Sequence, residues 1–321
     1  MANANKRFAV GIYGYSGMVG SEIEKLLGGH GGVDVAFRQN SKGSEGDPGE
    51  CSLAFLATKD AESLRHAPAA LAAGARVIDM SGAFRLARAE FEKWYGMVHM
   101  APDLLEEAVY GMPALFADKI ARARLVACPG CYPTAVILSL RPLEGLVSGE
   151  AVIFATSGNS GARRTAEDAS NEITYAYGSM HKHVPEMHKY TGHSIDFNPV
   201  VLRSVFRGIN VNIRVALSEE LKAAAGFADV AADMITERLE KAVQAAYTAD
   251  DQVFVVKDTN EYQFGTRDVN ETNKMLIKLR TDNGYAYINA LIDNLYKGAA
   301  GQAVECMNLM LGLPRLQGLK V

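Results

Sequence analysis

The chain contains, close to its start, the sequence FAVGIYGYSGMVG at residues 8–20. Residues 8–12 form a short apolar run that is typical of a buried strand, and residues 18–27 carry apolar side chains at helical spacing. Glycines between the two let the backbone turn tightly and approach a pyrophosphate, while the helix N-terminus supplies N–H groups. The stretch therefore predicts a strand, a phosphate-binding turn and a helix, which is the opening unit of a Rossmann-type domain.

Short apolar runs and helical patterns continue to alternate beyond this unit. Residues 33–37, 53–57 and 77–80 are predicted strands, and residues 61–73 are a predicted helix. Such alternation predicts parallel β-α-β units with helices on both faces of a sheet. Residues 39–50 are polar and rich in glycine, so a loop is expected there.

The pattern changes after Pro142, where longer segments with alternating apolar residues begin. Such strands suit an antiparallel or mixed sheet with one covered face. The predicted elements are strands at residues 151–156, 200–206, 209–217, 252–257, 275–280 and 285–292, and helices at residues 228–247 and 298–311.

We therefore predict an α/β protein with two domains. The first is a Rossmann-type parallel-sheet domain at residues 1–131, completed by a C-terminal helix at residues 298–321. The second is an α+β domain with a mixed or antiparallel sheet, at residues 132–297.

Size and composition limit the classes of function. The chain has 321 residues, of which 48% are hydrophobic and 22% charged, with a net charge of -4, so no basic surface indicates nucleic-acid binding. No apolar run approaches the thickness of a bilayer, the polar start does not resemble a signal peptide, and four cysteines do not make a disulfide scaffold. We expect a cytoplasmic protein without nucleic-acid or membrane partners.

The glycines follow the spacing G-x-x-G-x-x-G instead of the commoner G-x-G-x-x-G. Their position between a strand and a helix favours a bound dinucleotide over a bare connection. The residues expected to bind this cofactor are Gly11, Gly14, Tyr15, Ser16, Gly17, Met18 and Val19. Arg38 ends the second predicted strand, where NAD sites usually carry an acidic residue, and a cation there suits the 2′-phosphate of NADP(H). A solvated surface charge is the alternative for Arg38.

Two of the four cysteines lie in the sequence CPGCYPT at residues 128–134, between an apolar run and a helical pattern. Cys131 is expected just before the first helical turn, where N–H groups favour a thiolate and can stabilise an oxyanion. A zinc site, a redox dithiol and inert packing are the alternatives for this pair. We predict that Cys131 is a nucleophile, that Cys128 is not, and that the chain holds no metal.

A nucleophilic cysteine of this kind needs a proton carrier. Candidates are His181, His183 and Glu186, which form a dense polar cluster in the sequence HKHVPE at residues 181–186. Spacing alone leaves their roles open, because a histidine is more often a packing or surface residue.

Several motifs, taken in this order, resemble the N-acetyl-γ-glutamyl-phosphate reductase family of the aspartate-semialdehyde dehydrogenase-like superfamily. The matching segments are SGAFR at 81–85, YGMP at 110–113, PGCYPT at 129–134, SGNSGARR at 157–164, HKHVPE at 181–186 and DNLYKGAAGQA at 293–303. The chain departs from the family pattern at Cys128, Ala83 and Arg163, where Asn, Asp and Gly are usual, and at Lys59 and Asp60, where a Pro-His pair is common.

The resemblance implies an NADP(H)-dependent reduction of N-acetyl-γ-glutamyl phosphate in arginine biosynthesis. It implies a thioester on Cys131 and a proton carrier at His181. It also implies substrate and phosphate contacts from Arg85, Ser160, Arg164, His183 and Glu186, and cofactor contacts from Ser157 and Asn294.

The resemblance further leads us to expect a homodimer or homotetramer. Two alternatives for the function remain. One is a related reductase of lysine or ornithine biosynthesis that acts on a carrier-bound acyl phosphate. The other is a nucleotide-sensing protein without turnover, for which an intact cysteine and histidine pair has no evident use.

Overall fold

The computed structural model describes residues 7–161, 171–225 and 229–321. Contacts between residues divide the chain into two compact units. The first unit comprises Met1–Gly130 together with Ala299–Val321, and the second comprises Cys131–Gly298.

The first unit contains a sheet that is parallel apart from one strand pair. Its described strands are β1 (Phe8–Tyr13), β2 (Val33–Asn40), β3 (Gly43–Gly46), β4 (Leu53–Leu56), β5 (Arg76–Asp79), β6 (Val109–Tyr110) and β7 (Leu125–Ala127). They lie in the order β3-β2-β1-β4-β5-β7-β6, and only β2 and β3 pair in antiparallel fashion. Because the chain runs from β1 to opposite sides of the sheet, the carboxyl end of β1 lies at a switch point where such sheets bind ligands.

Helices cover this sheet. They are α1 (Met18–Gly28), α2 (Asp60–Ala72), α3 (Arg88–Tyr95) and α4 (Pro113–Arg122). A buried cluster that includes Phe37, Leu56, Val77, Phe84 and Phe91 forms part of the core. Burial of these apolar side chains stabilises the sheet beneath the helices.

The second unit contains a mixed sheet. Its described strands are β8 (Val147–Gly158), β9 (Glu172–Thr174), β10 (Ser194–Leu202), β11 (Ile209–Leu217), β12 (Val253–Val255), β13 (Met275–Asp282) and β14 (Tyr285–Ile292). They lie in the order β12-β13-β14-β11-β8-β10-β9. The pairs β8 with β10 and β12 with β13 are parallel, and the others are antiparallel.

The described helices of the second unit are α5 (Cys131–Leu140), α6 (Val184–Thr191), α7 (Glu219–Ala225) and α8 (Asp229–Ala246). The helix α5 packs against α6, β11 and β14, and every residue from 132 to 140 is buried. A helix that is apolar on all sides is expected in such a position. Its Pro133 lies in the first turn, where the missing N–H costs no hydrogen bond.

The chain returns to the first unit through a π-helical turn at Tyr296–Ala300, followed by α9 (Gly301–Leu311). The helix α9 packs against α1, α4 and β5. Within the described ranges, no helix is both long enough and apolar enough to cross a membrane.

The two sheets confirm the predicted fold class, a Rossmann-type parallel-sheet domain joined to an α+β domain. Individual element bounds differ from the prediction. The expected loop at residues 39–50 contains the strand β3, and β2 extends to Asn40 instead of ending at Arg38. The strand expected at residues 200–206 is β10, which lies at Ser194–Leu202. Residue 228, the expected start of a helix, lies outside the described residues.

Candidate active site

Cys131 is the first residue of α5, at the end of the helix where N–H groups have no intrahelical acceptor. The sequence predicts that the helix begins after this cysteine, whereas in the structure it begins at the cysteine itself. Cys131 is half-buried, in contrast to the buried residues that follow it. A helix N-terminus stabilises a thiolate, and its N–H groups can hold the oxygen of an attacked carbonyl. Thiol attack on a carbonyl carbon is thus favoured at this position.

Cys128 has a different environment, in the first unit. It is 1% exposed and lies against Gly111 and beside Cys306. The Cys306 thiol donates to the carbonyl oxygen of Gly111 over 3.6 Å, and burial raises the pKa of that thiol. The four cysteines are free thiols. Cys128 is thus packed among buried groups of the first unit.

His181 and His183 lie together at the start of α6. Their ring centroids are 4.5 Å apart, and the backbone N–H of His183 donates to Nδ1 of His181 over 3.1 Å. Burial, together with the smaller effect of the Lys182 charge, lowers the pKa of His181 to about 4. Because Nδ1 accepts a hydrogen bond, the neutral His181 ring carries its proton on Nε2. His181 is thus a neutral N–H donor at physiological pH.

Aromatic side chains surround His181, and the sequence did not point to them as a group. Its ring centroid lies 5.8 Å from Tyr132, 5.4 Å from Tyr175 and 5.4 Å from Phe197. Burial, together with a smaller effect of Cys131, raises the pKa of Tyr175 to about 12. Burial likewise raises the pKa of Tyr132, which also interacts with Cys131. Both phenols therefore stay protonated and can donate hydrogen bonds near the cysteine.

Glu186 lies in the first turn of α6 and is fully buried. Burial raises the pKa of Tyr190, and the negative charge of Glu186 raises it further. An acidic residue in the first turn interacts favourably with the helix dipole. The carboxylate of Glu186 is therefore held inside the second unit, one turn beyond the histidine pair.

Ser160 and Asn294 belong to one hydrogen-bond network in the second unit. Nδ2 of Asn294 donates to the Ser160 hydroxyl over 2.9 Å, and Oδ1 of Asn294 accepts from the N–H of Gly208 over 2.8 Å. Ser157 lies nearby at 3% exposure, and its hydroxyl donates to the carbonyl oxygen of Gly158 over 3.1 Å. The network joins the end of β8 to the end of β14.

The backbone of the segment after β8 is held closely by another loop. The N–H groups of Gly158, Asn159 and Ser160 donate to the carbonyl oxygens of Gly208, Val205 and Phe206 at 2.9, 2.8 and 3.0 Å. A side chain at Gly158 would lie 2.6 Å from the Phe206 backbone, so only glycine fits there. Arg164, a predicted substrate contact, lies outside the described residues.

The glycine turn of the first unit has the predicted form between β1 and α1. Gly14 has a φ of +80°, and a side chain there would lie 2.4 Å from the carbonyl oxygen of Ala57. A side chain at Gly20 would lie 2.1 Å from the carbonyl oxygen of Gly14, so α1 packs directly on the turn. The predicted residues Tyr15, Ser16, Gly17, Met18 and Val19 form the rest of the turn and the start of α1. A backbone with this little side-chain cover fits a pyrophosphate.

Gly11 has another role in the same unit. It lies inside β1, and a side chain there would lie 3.2 Å from the sulphur of Cys51 and 3.3 Å from the Phe37 ring. Because Gly11 has no side chain, β1 can pack closely against Cys51 and Phe37.

Arg38 lies on β2 opposite Ile12, two residues before the strand ends. Its guanidinium forms an ion pair with Glu24 of α1, and Nη1 donates to the carbonyl oxygen of Val35 over 3.2 Å. The side chains of Arg38 and Glu24 are about one-third exposed. A phosphate group would therefore compete with Glu24 for this cation.

Arg85 is buried in the first unit, at 6% exposure. Its Nη2 donates to the carbonyl oxygen of Met80 over 3.0 Å. Burial raises the pKa of the nearby Asp79, although hydrogen bonds from Ser63 and Ser81 and the charge of Arg85 oppose that rise. The guanidinium is thus close to an acidic side chain at the carboxyl end of β5.

Within residues 7–161, 171–225 and 229–321, no group of three or more His, Cys, Asp or Glu side chains could hold a metal ion. Cys131, His181, His183, Glu186, Ser157, Ser160 and Asn294 all lie in the second unit, whereas Arg38, Arg85 and the glycine turn lie in the first.

Known proteins match this chain over nearly its full length. A family model described as the dimerisation domain of semialdehyde dehydrogenase matches residues 131–294, and one described as the NAD binding domain matches residues 44–123. A protein named N-acetyl-gamma-glutamyl-phosphate reductase from Thermus thermophilus is 36% identical, over 95% of this chain and 96% of its own length. One of the same name from Halorhodospira halophila is 39% identical, over 84% of this chain and 79% of its own length. This chain belongs to the N-acetyl-γ-glutamyl-phosphate reductase family.

Membership of the N-acetyl-γ-glutamyl-phosphate reductase family confirms the resemblance inferred from the motifs. A solved structure also shares the fold. Aspartate semialdehyde dehydrogenase II from Vibrio cholerae, complexed with ASA, superposes with a TM-score of 0.71 at 18% identity, covering 96% of this chain and 99% of that one. At this identity the likeness concerns the fold alone.

Proposed function

We propose that this protein catalyses the NADPH-dependent reductive dephosphorylation of N-acetyl-γ-glutamyl phosphate to N-acetylglutamate 5-semialdehyde, a step of arginine biosynthesis. One observation carries the proposal: in a chain of this family, a half-buried cysteine begins a buried helix. His181 supplies the acid–base group, and its ring lies 5.8 Å from that of Tyr132, the residue that follows the cysteine.

Cys131 is the nucleophile. Its thiolate attacks the acyl carbonyl carbon and forms a C–S bond, and the C–O bond to phosphate breaks as phosphate leaves with the electron pair. N–H groups of the first turn of α5 stabilise the oxyanion that forms at the carbonyl oxygen. The product of this half-reaction is a thioester on Cys131.

Bound NADPH supplies the hydride that reduces this thioester. The resulting thiohemiacetal oxyanion collapses, its C–S bond breaks, and the aldehyde leaves while Cys131 returns to the thiolate. The overall reaction consumes one proton, which ends on the released phosphate. His181 takes this proton up from solvent and passes it on from Nε2, because Nδ1 accepts the backbone N–H of His183.

Substrate recognition draws on Arg85, Ser160, Arg164, His183 and Glu186. A guanidinium suits both the phosphate and the carboxylate of the substrate, because its fork of N–H groups matches their paired oxygens. Support for Ser160 comes from its hydrogen bond to Asn294, which holds the hydroxyl in one orientation. Support for His183 comes from the short separation of its ring from His181.

The first unit holds NADP(H). The glycine turn before α1 and the residues that follow it take the pyrophosphate, and the cation Arg38 takes the 2′-phosphate once Glu24 is displaced. Ser157 and Asn294 complete the cofactor contacts. In this proposal the nucleotide domain is the first unit, Met1–Gly130 with Ala299–Val321. The catalytic and dimerisation domain is the second unit, Cys131–Gly298.

The functional protein is a homodimer or homotetramer that works in the reducing cytoplasm. Support for self-association comes from the matched dimerisation-domain model and from aromatic residues exposed on the second sheet. Phe154 is 60% exposed and Tyr287 is 39% exposed, beside an open groove of about 960 Å³. A nucleophilic thiol that must stay reduced suits the cytoplasm.

The reverse reaction tests the chemistry most simply. The protein is mixed with N-acetylglutamate 5-semialdehyde, inorganic phosphate and NADP, and the absorbance of the reduced nicotinamide is followed. We expect phosphate-dependent reduction that the Cys131→Ser variant loses by several orders of magnitude while it still binds NADP. Full activity in that variant, or no activity in the wild-type protein, would contradict the proposal.

A further inference from the structure

The backbone of Gly298 lies directly against the side chain of Cys131, within the second unit. A side-chain carbon at Gly298 would lie 2.8 Å from Cβ of Cys131 and 3.3 Å from its Cα. The φ of Gly298 is not in the left-handed region, so the requirement for glycine is one of space. Gly298, in the middle of the π-helical turn at Tyr296–Ala300, therefore packs against Cys131.

Asp293 holds this turn in place, and it is fully buried directly after β14. The Asp293 carbonyl oxygen accepts the N–H of Gly298 over 2.9 Å. Its Oδ1 accepts the N–H groups of Leu295 and Tyr296 over 2.8 and 3.2 Å. A single residue therefore sets the path of the turn from its first residue to the glycine that touches the cysteine.

The other carboxylate oxygen of Asp293 ties the turn to two further loops. Oδ2 accepts from Nη1 of Arg207 over 3.1 Å and from the N–H of Glu271 over 2.6 Å. The Arg207 side chain is 12% exposed, so this ion pair is largely shielded from water. The pair therefore holds the Asp293 carboxylate in one orientation, because a buried carboxylate needs all its hydrogen bonds satisfied.

We propose that Asp293 is a positioning residue for the nucleophile: through Gly298 it holds Cys131 at the N-terminus of α5. The inference rests on the proposed cysteine chemistry, and it adds a residue that the reaction steps do not involve. Asp293 does not touch the reacting atoms. Its effect is to fix the sulphur where the helix N–H groups stabilise the thiolate.

Two substitutions disturb this arrangement from opposite ends. Gly298→Ala introduces a methyl group that Cys131 or the turn must move to accommodate. Asp293→Asn replaces an acceptor oxygen with a donor that faces backbone N–H groups or Arg207, so the turn loses part of its anchor.

The readout is the rate of alkylation of Cys131 by iodoacetamide between pH 5 and 10, with the modified peptide identified by mass spectrometry. In both variants we expect the midpoint of the pH profile to rise by about one unit and the rate at pH 7 to fall about 10-fold. In reductase assays, kcat should fall at least as much while KM changes little, because the substrate contacts are retained.

Matched controls separate positioning from general destabilisation. Glu305→Gln alters another fully buried carboxylate, which pairs with Arg315 in the first unit, and Gly265→Ala fills open space in the second unit. Glu305→Gln should lower the melting temperature about as much as Asp293→Asn, and both controls should keep the wild-type alkylation profile.

The inference is overturned if folded Gly298→Ala and Asp293→Asn proteins alkylate with the wild-type rate and midpoint, or if Glu305→Gln shifts the profile equally. Failure of the proposed function gives a different result. In that case the wild-type protein lacks reductase activity, while the alkylation profiles of the two variants still shift.

Discussion

The buried ring of His181 should make the stability of this protein depend on pH in a measurable way. Burial lowers the pKa of His181 to about 4, against an ordinary value of 6.5. As the pH falls below 6.5, the unfolded chain takes up a proton that the folded protein does not, so acid favours unfolding. The stabilisation is present in full above about pH 6.5 and is lost progressively towards pH 4.

The size of the effect follows from these two pKa values. They lie about 2.5 pH units apart, and each unit is worth about 1.4 kcal/mol, so wild-type protein should lose about 3 kcal/mol of unfolding free energy through His181 between pH 7 and pH 4. His181→Gln removes the titrating group and should remove this part of the loss.

The assay is urea unfolding followed by circular dichroism at a series of pH values, with wild-type and variant curves subtracted at each pH. Subtraction matters because burial also lowers the pKa of His66 and His99, which both proteins share. Tyr132→Phe is the local control, since it changes the same cluster but keeps the titrating ring. If the His181→Gln protein shows the same pH dependence as wild type, the ring is not held neutral by burial and the assignment of its protonation state is wrong.

Three further predictions concern other residues. In steady-state assays the kcat of Cys128→Ser should stay within about 2-fold of wild type. Its unfolding free energy should fall by about 1–2 kcal/mol, because a hydroxyl replaces a buried thiol. A large loss of kcat would instead indicate a chemical role for Cys128. Arg38→Ala should raise the dissociation constant of NADPH about 10-fold in fluorescence titrations and leave that of NADH unchanged, and equal effects on both would exclude a 2′-phosphate contact. Phe154→Asp should lower the mass measured by light scattering to that of a smaller oligomer, and an unchanged mass would remove this face of the sheet from the subunit interface.

Local patterns were sufficient where the chain interacts mainly with its near neighbours. The strand, glycine turn and helix of residues 8–28 followed from an apolar run and four glycines, since their geometry depends on backbone space within the segment. Strands β11 and β14 were also predicted with their observed bounds, because apolar residues alternate along β11 and form an almost continuous run along β14.

Local patterns failed where pairing across the sheet overrode them. The strand β10 begins at Ser194 and contains Pro199, a residue that argues against a strand when the sequence is read alone. Its partner β8 pairs with it along the whole length, whereas β9 pairs only with residues 200–202, which leaves Pro199 outside the β9 ladder. The sequence pattern alone does not show that the β9 ladder ends before it reaches Pro199.

The sequence by itself determined the fold class and the family and predicted which cysteine is reactive, because glycine spacing and the order of motifs are properties of the chain. Only the tertiary structure decided what surrounds that cysteine: the tyrosine at position 175, the glycine at position 298 and the buried carboxylate at position 293. Asp293 and Gly298 lie far from Cys131 along the chain and come close to it because β14, which precedes them, packs against α5 in the second unit. Contacts of this kind depend on how elements pack, which no local pattern of side chains specifies.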